Sequence, residues 1–299
     1  NFYSYSEGTN RWTNKGTISN IFPTSSTVIR NSYQQSNFDV SHFNGISGYI
    51  WEDTRGGVRA TIIDEATGNE LLSDTEISST GIKPKIELIG STFYLIYADG
   101  SSIKYRTVKP INPSLITAEQ TIVNSDLNAG EKLYDTTSVA ESIFFVWKAV
   151  SGNLKTLALA QNGDISTILE ESGEAPTAAI CVDADPLNRP IIAYFDGSDV
   201  KFILKSFNLL ANLVAPTSVE TISNITNVTV QSSDAQSYTL LYEQSSSNPY
   251  NHKIRRNIID LSATTGTAVD HIRSCGLATK QFSQQGVLYS AVLHKSDLQ

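Results

Sequence analysis

Tyr94-Leu-Ile-Tyr97, Asp99-Gly100 and Ser102-Ile-Lys104 form the stretch on which the fold of this 299-residue chain turns. An apolar run closes on an aromatic residue, a tight turn follows, and a short second run carries a base. β-Branched and aromatic side chains suit a pleated strand, and Asp-Gly supplies the positive φ that a short hairpin needs. The hairpin returns along the chain. Gly48-Tyr-Ile-Trp51 is followed by Gly56-Gly-Val-Arg59, Phe144-Phe-Val-Trp147 by Asn153-Leu-Lys155, and Ile191-Ile-Ala-Tyr194 by Asp199-Val-Lys201. Thr239-Leu-Leu-Tyr242 is followed by Asn251-His-Lys253, and Ser290-Ala-Val-Leu293 is a sixth apolar strand.

The last residues of these strands stand at positions 51, 97, 147, 194, 242 and 293, at intervals of 46, 50, 47, 48 and 51. A period of about 48 residues has room for four strands and their turns, and four-stranded units repeated about an axis are the blades of a β-propeller. The spacing predicts an all-β, six-bladed propeller in one domain, residues 1–299. The sixth copy stops about two strands short at Gln299, while about 35 residues precede the first. Phe2-Tyr-Ser-Tyr-Ser6 and Gly16-Thr-Ile-Ser-Asn-Ile21 are therefore expected to complete the last blade and close the ring, which removes exposed strand edges. The aromatic anchors are expected between blades, and the repeated base at a solvated or edge-facing position.

Composition narrows the function classes. The chain is 40% hydrophobic and 17% charged, with net charge −8. An acidic chain without a basic block is a poor partner for nucleic acid or an anionic membrane surface. No apolar run approaches a membrane helix in length, and the first residues lack the basic and apolar regions of a signal peptide. Met is missing throughout, which leads us to expect a processed chain or a fragment of a longer one. Cys181 lies in an apolar run far from Cys275, so a buried thiol is expected rather than a zinc or redox pair.

The signatures of well-known propellers are missing. There is no WD dipeptide and no Asp-box, and the Gly-Gly doublet occurs once, at Gly56-Gly57. Two segments, Gly57-Val-Arg-Ala-Thr-Ile-Ile-Asp-Glu-Ala-Thr-Gly68 and Gly90-Ser-Thr-Phe-Tyr-Leu-Ile-Tyr-Ala-Asp-Gly-Ser-Ser-Ile-Lys-Tyr-Arg106, resemble the propeller domains of bacteriophage tail proteins of the nozzle or tail-tube type. That resemblance implies a non-catalytic virion component, located in the tail or another extracellular particle. Its partners would be other tail subunits in a symmetric homo-oligomer. The alternative is a glycan- or protein-binding propeller that uses its loop face, with a glycoside hydrolase less favoured.

The chemistry-bearing residues were weighed against that expectation. A glycosidase needs two carboxylates across a sugar bond. The acids at the repeated strand ends are Glu52, Asp53, Asp99, Asp196 and Glu243, but Asp99 and Asp196 precede Gly in hairpins where Asp is a good turn former. The three Trp, at 12, 51 and 147, make no sugar platform in sequence. Four His, at 42, 252, 271 and 294, stand near no Gly-x-Ser-x-Gly elbow, and Gly45-Ile-Ser-Gly48 reads as a turn. Asp183, Asp185 and Asn188 have the spacing of a partial calcium loop without its later Glu, and read as a strand connection. The expectation is thus a chain that is not an enzyme, with no catalytic, cofactor-binding or metal-binding residues and no cofactor.

Overall fold

A computed structural model describes residues 2–6, 11–16, 38–53, 56–206, 211–232, 236–245, 253–260, 269–273, 277–284 and 287–294. All its regular elements are strands, and every pairing is antiparallel. β1 (Phe2–Ser6) and β2 (Arg11–Gly16) form a hairpin. The first four-stranded sheet is β3 (Phe38–Phe43), β4 (Ile46–Glu52), β5 (Val58–Asp64) and β6 (Glu70–Ser78), in that order. The second is β7 (Ile82–Ile89), β8 (Thr92–Asp99) and β9 (Ser102–Lys109), with β10 (Asn112–Ile116) and β11 (Gln120–Val123) both on β9. The third is β12 (Tyr134–Val139), β13 (Ser142–Lys148), β14 (Leu154–Ala160) and β15 (Leu169–Glu171).

The fourth sheet is β16 (Ile180–Ala184), β17 (Pro190–Phe195), β18 (Asp199–Lys205) and β19 (Asn212–Thr221). The fifth is β20 (Ile225–Ser232), β21 (Ser237–Gln244), β22 (Lys253–Asp260) and β23 (Val269–Arg273). β24 (Leu277–Gln284) and β25 (Val287–His294) form a last hairpin. Each predicted anchor falls in the second strand of its unit. The expected joining of the chain ends is not formed: β1 pairs with β2 and β25 with β24, as separate two-stranded sheets. β2 also lies earlier than expected, and residues 17–21 lie outside the described residues.

The second strands are apolar on both faces because each is sandwiched between neighbouring sheets. In β13, Phe145 and Trp147 pack with Ile96, Ala98 and Ile103 of the second sheet. The intervening Phe144 and Val146 pack with Ile192 and Tyr194 of the fourth. Period-2 alternation thus sends successive side chains to opposite neighbours. Tyr97 faces the first sheet in the same way, and Tyr242 the fourth. The anchors Trp51, Tyr97, Trp147, Tyr194 and Tyr242 are all buried, at 3% exposure or less. Gly48 marks how closely the sheets approach, since a Cβ there would stand 2.7 Å from Ile86 Cδ1.

The first strands follow one another side by side, β3 beside β7, then β12, β16, β20 and β24. On five of them, Asp39, Glu87, Asp135, Asp183 and Gln231 recur at a constant interval of 48 residues. The carboxylates join neighbouring sheets. Asp39 Oδ2 accepts the Ile86 N–H at 3.1 Å, Asp135 Oδ2 the Val182 N–H at 2.9 Å, and Asp183 Oδ2 the Ser232 N–H at 3.1 Å. Glu87 accepts the hydroxyls of Thr136 and Ser138, each at 2.8 Å. Lys85 forms an ion pair with Asp135. Beside Asp135, burial pushes the free Cys181 thiol well up, so it stays protonated.

Burial, with Asp39 and Asp135 facing it, pushes the Glu87 carboxyl from 4.5 up to about 7 against the opposing hydroxyl bonds. Burial likewise raises Asp183 from 3.8 to about 6. Between the ordinary and the raised values, the folded chain holds protons that the unfolded chain has released. Stability therefore falls as pH rises through that window. The melting temperature is expected to be higher at about pH 5 than at about pH 8. Glu87→Gln, which keeps an acceptor and removes the charge, is expected to flatten the difference. An equal slope in the variant, followed by circular dichroism, contradicts this account.

Candidate functional site

The aromatic anchor and the repeated base are cross-strand partners. Trp51 stands opposite Arg59, Tyr97 opposite Lys104, Trp147 opposite Lys155 and Tyr194 opposite Lys201. In the fifth sheet the register corrects the expectation, because Arg255 stands opposite Tyr242 and Lys253 opposite Gln244. Directly opposed residues share one face of a sheet, so each base lies beside a buried ring. The hairpins that carry them abut the links between sheets. Leu127 N–H donates to Ser101 O at 2.8 Å, and Ile222 N–H to Ser198 O at 2.9 Å. Gly57 needs its φ of +84° and its missing Cβ, which would meet Ser78 O at 2.2 Å.

The bases were expected at solvated or edge-facing positions. Instead, each described one is partly buried between carboxylates. Lys104 Nζ lies 2.7 Å from Asp99 Oδ2 and 2.8 Å from Glu119 Oε1. Lys155 Nζ lies 3.0 Å from Asp126 and 3.6 Å from Glu170. Lys201 Nζ lies 3.0 Å from Glu174 and 2.8 Å from Asp196. Arg59 Nε lies 2.5 Å from Asp74 and 3.6 Å from Asp53. The ring's polar edge joins the same carboxylates: Tyr97 OH donates to Glu119 at 2.6 Å, Trp147 Nε1 to Asp126 at 3.3 Å and Tyr194 OH to Glu174 at 2.5 Å. Tyr242 OH donates to Glu220.

These contacts hold the charges in place. Hydrogen bonds to Asp99 and Glu119 raise the Lys104 ammonium, and its own bonds hold those two carboxyls below their usual range. Burial alone would raise Asp196, but Lys201 and the turn N–H groups hold it well below. Burial, followed by the bond to Glu119, pushes Tyr97 up to about 12. At neutral pH Lys104 is thus charged between two ionised acids, and the side chains of Lys104, Lys155 and Lys201 are still 17–22% exposed.

Three of the five acids weighed in the sequence, Asp53, Asp99 and Asp196, belong to these units. Glu52 instead accepts the Lys83 N–H at 3.1 Å, and Glu243 is buried at 8% exposure. Glu119, Asp126 and Glu174 were missed because they lie between strands, and Glu170 because it stands on the short β15, where only the fold brings them to the base. Asp183, Asp185 and Asn188 diverge. Asp185 binds Arg189 and Tyr238, while Asn188 accepts the Ala140 N–H. Among the described residues no group of three His, Cys, Asp or Glu is arranged to hold a metal. His42 and Ser47 both bond Glu65 rather than each other, so no imidazole base stands on that hydroxyl. The side chains of His252, His271 and His294 lie outside the described residues.

No family model matches the chain, and no curated protein matches its sequence. Solved structures do match its shape. The BP39L lectin from Burkholderia pseudomallei is 12% identical with a TM-score of 0.64, over 95% of this chain and 86% of that one. The SapL1 lectin, solved with alpha methyl fucoside, is 11% identical with a TM-score of 0.55, over 88% and 90%. A PL25 ulvan lyase is 9% identical with a TM-score of 0.54, over 88% and 80%. The chain has a β-propeller fold. The resemblance to bacteriophage tail proteins finds no counterpart in these likenesses. The expectation that the chain is not an enzyme is corrected as well. A polysaccharide lyase shares the fold, so missing hydrolase motifs do not set this propeller apart from carbohydrate-active enzymes.

Trp147 combines both roles described here, a ring buried between sheets and an indole N–H on Asp126. Trp147→Ala is expected to cost about 3–5 kcal/mol in chemical denaturation, the range for deleting a large buried aromatic. A loss below about 1 kcal/mol, typical of surface changes, contradicts the packing.

Proposed function

We propose that this chain is a carbohydrate-binding propeller with several equivalent sites. The observation that carries the reading is the repetition of one polar unit, a base held between two carboxylates over an aromatic floor, at the same end of successive sheets. Sugars are bound through hydroxyl groups that donate to carboxylates and accept from cations, and charge-assisted hydrogen bonds are the stronger kind. The rings themselves are covered, so they shape and stiffen the unit rather than stack on a sugar. Two lectins among structures of the same fold support the reading by analogy of fold alone.

The proposal extends to architecture. β24–β25 and β1–β2 together supply four strands, the number in four of the five other sheets. We take them to complete a sixth unit that closes the ring. Gln231 on β20, whose side-chain oxygen is buried without a partner, continues the carboxylate series toward β24.

A glycan array probed with the intact chain, followed by titration calorimetry of the best sugar, tests the function. Binding with more than one equivalent per chain is expected. Exchanging the charged partner in one unit, by Glu174→Gln, is expected to lower the stoichiometry rather than abolish binding. No bound sugar, or a single equivalent unaffected by Glu174→Gln, overturns the reading.

A further inference from the structure

The charge inside each unit restricts which sugars it can take, and this step rests on the carbohydrate reading above. In the Lys155 and Lys201 units one ammonium faces two carboxylates, so each carries an excess negative charge, whereas in the Lys104 unit the Arg106 guanidinium also acts on Tyr97 and Glu119 and offsets it. The Arg59 unit has the sign of the Lys155 and Lys201 units, with Asp53 and Asp74 beside it and Glu76 at 3.8 Å. The excess at Lys201 is not relieved near neutral pH, because Asp196 is held well below its ordinary range. The chain's net charge of −8 has the same sign.

Hydrogen-bonding capacity points the same way. Glu174 meets both Lys201 and Tyr194 through Oε2. Asp126 meets both Lys155 and Trp147 through Oδ2. In these two units the second oxygen, Glu174 Oε1 or Asp126 Oδ1, has no partner among the described residues and is left to accept from a ligand, whereas both oxygens of Asp99 and of Glu119 are already engaged. A lysine ammonium has three N–H donors; Lys201 spends two on its carboxylates and Lys155 one on Asp126, with Glu170 beyond hydrogen-bond reach at 3.6 Å, so each keeps at least one to donate. An acceptor oxygen beside a single donor matches neighbouring hydroxyls of a sugar, one giving its proton and the other receiving one. An incoming carboxylate or sulfate brings no proton to give. It also finds the only cation already flanked by two anions.

We infer that the Lys155 and Lys201 units select uncharged, hydroxyl-rich sugars and exclude sugars bearing carboxylate or sulfate groups. The exclusion is electrostatic, since like charges brought together at a partly desolvated site oppose binding. It is therefore weaker at high salt, which screens partly exposed charges.

The test is a panel of neutral glycans beside their sialylated, uronic-acid and sulfated counterparts, titrated into the intact chain at low and at physiological salt. Neutral members are expected to bind with little dependence on salt. Acidic counterparts are expected to bind at least about tenfold more weakly, with the gap narrowing as salt rises. Glu174→Gln and Asp126→Asn, which remove one charge each, are expected to narrow the gap further. If either variant fails to fold, as judged by its melting curve, the salt series on the parent chain decides alone. Acidic sugars bound as tightly as neutral ones overturn the inference and leave the carbohydrate reading standing. Binding confined to cationic amino sugars overturns it too. No binding by any member overturns both.

Discussion

The first strand of each sheet has a ladder partner on one side only. Its other edge presents backbone N–H groups with no strand to receive them, and a buried donor left unpaired is costly. Asp39, Asp135 and Asp183 meet that constraint by accepting an N–H from the first strand of the next sheet. These bonds run between sheets rather than within them, so they set the distance and stagger at which neighbouring sheets meet. The apolar strands behind them can then pack on both faces, and the hairpins at the strand ends arrive at equivalent places.

The repeated polar units follow from that equivalence. In the third and fourth sheets the base on the third strand meets the link from the preceding sheet. A carboxylate on the link, such as Asp126 or Glu174, reaches both the base and the ring beneath it. Two carboxylates per base favour the protonated amine, and Asp126 and Glu174 each meet base and ring through a single oxygen. The surface is stiff because its members are partnered, and it still has hydrogen-bonding capacity to offer a ligand.

Much of the fold was legible because apolar strands of one length end in aromatic residues at nearly constant spacing. Tyr97, Trp147, Tyr194 and Tyr242 all lie buried in second strands, as their spacing predicts. The carboxylate series was equally present in the sequence, with Asp39, Glu87, Asp135 and Asp183 at an unvarying interval. It went unread because isolated acids in strands carry no hydrophobic signal. Arg255 was mistaken for Lys253 because a long connection breaks the spacing in the fifth hairpin, and only the pairing register tells them apart. The role of the bases could not be read at all. Their partners, Glu119, Asp126 and Glu174, lie 15 to 29 residues away, a distance over which sequence alone implies no contact. The chain ends gave the least, because sharing a blade between termini is a matter of pairing rather than of local pattern.

The central claim is that single carboxylates bind each first strand to the next. Amide hydrogen exchange measured on Asp39→Ala beside the parent chain tests it most directly. The Ile86 amide is expected to lose protection selectively, while the Val182 amide, held by Asp135 between two other sheets, keeps its own. Unchanged protection at Ile86 would contradict the account, because that amide would then owe nothing to the carboxylate assigned to it.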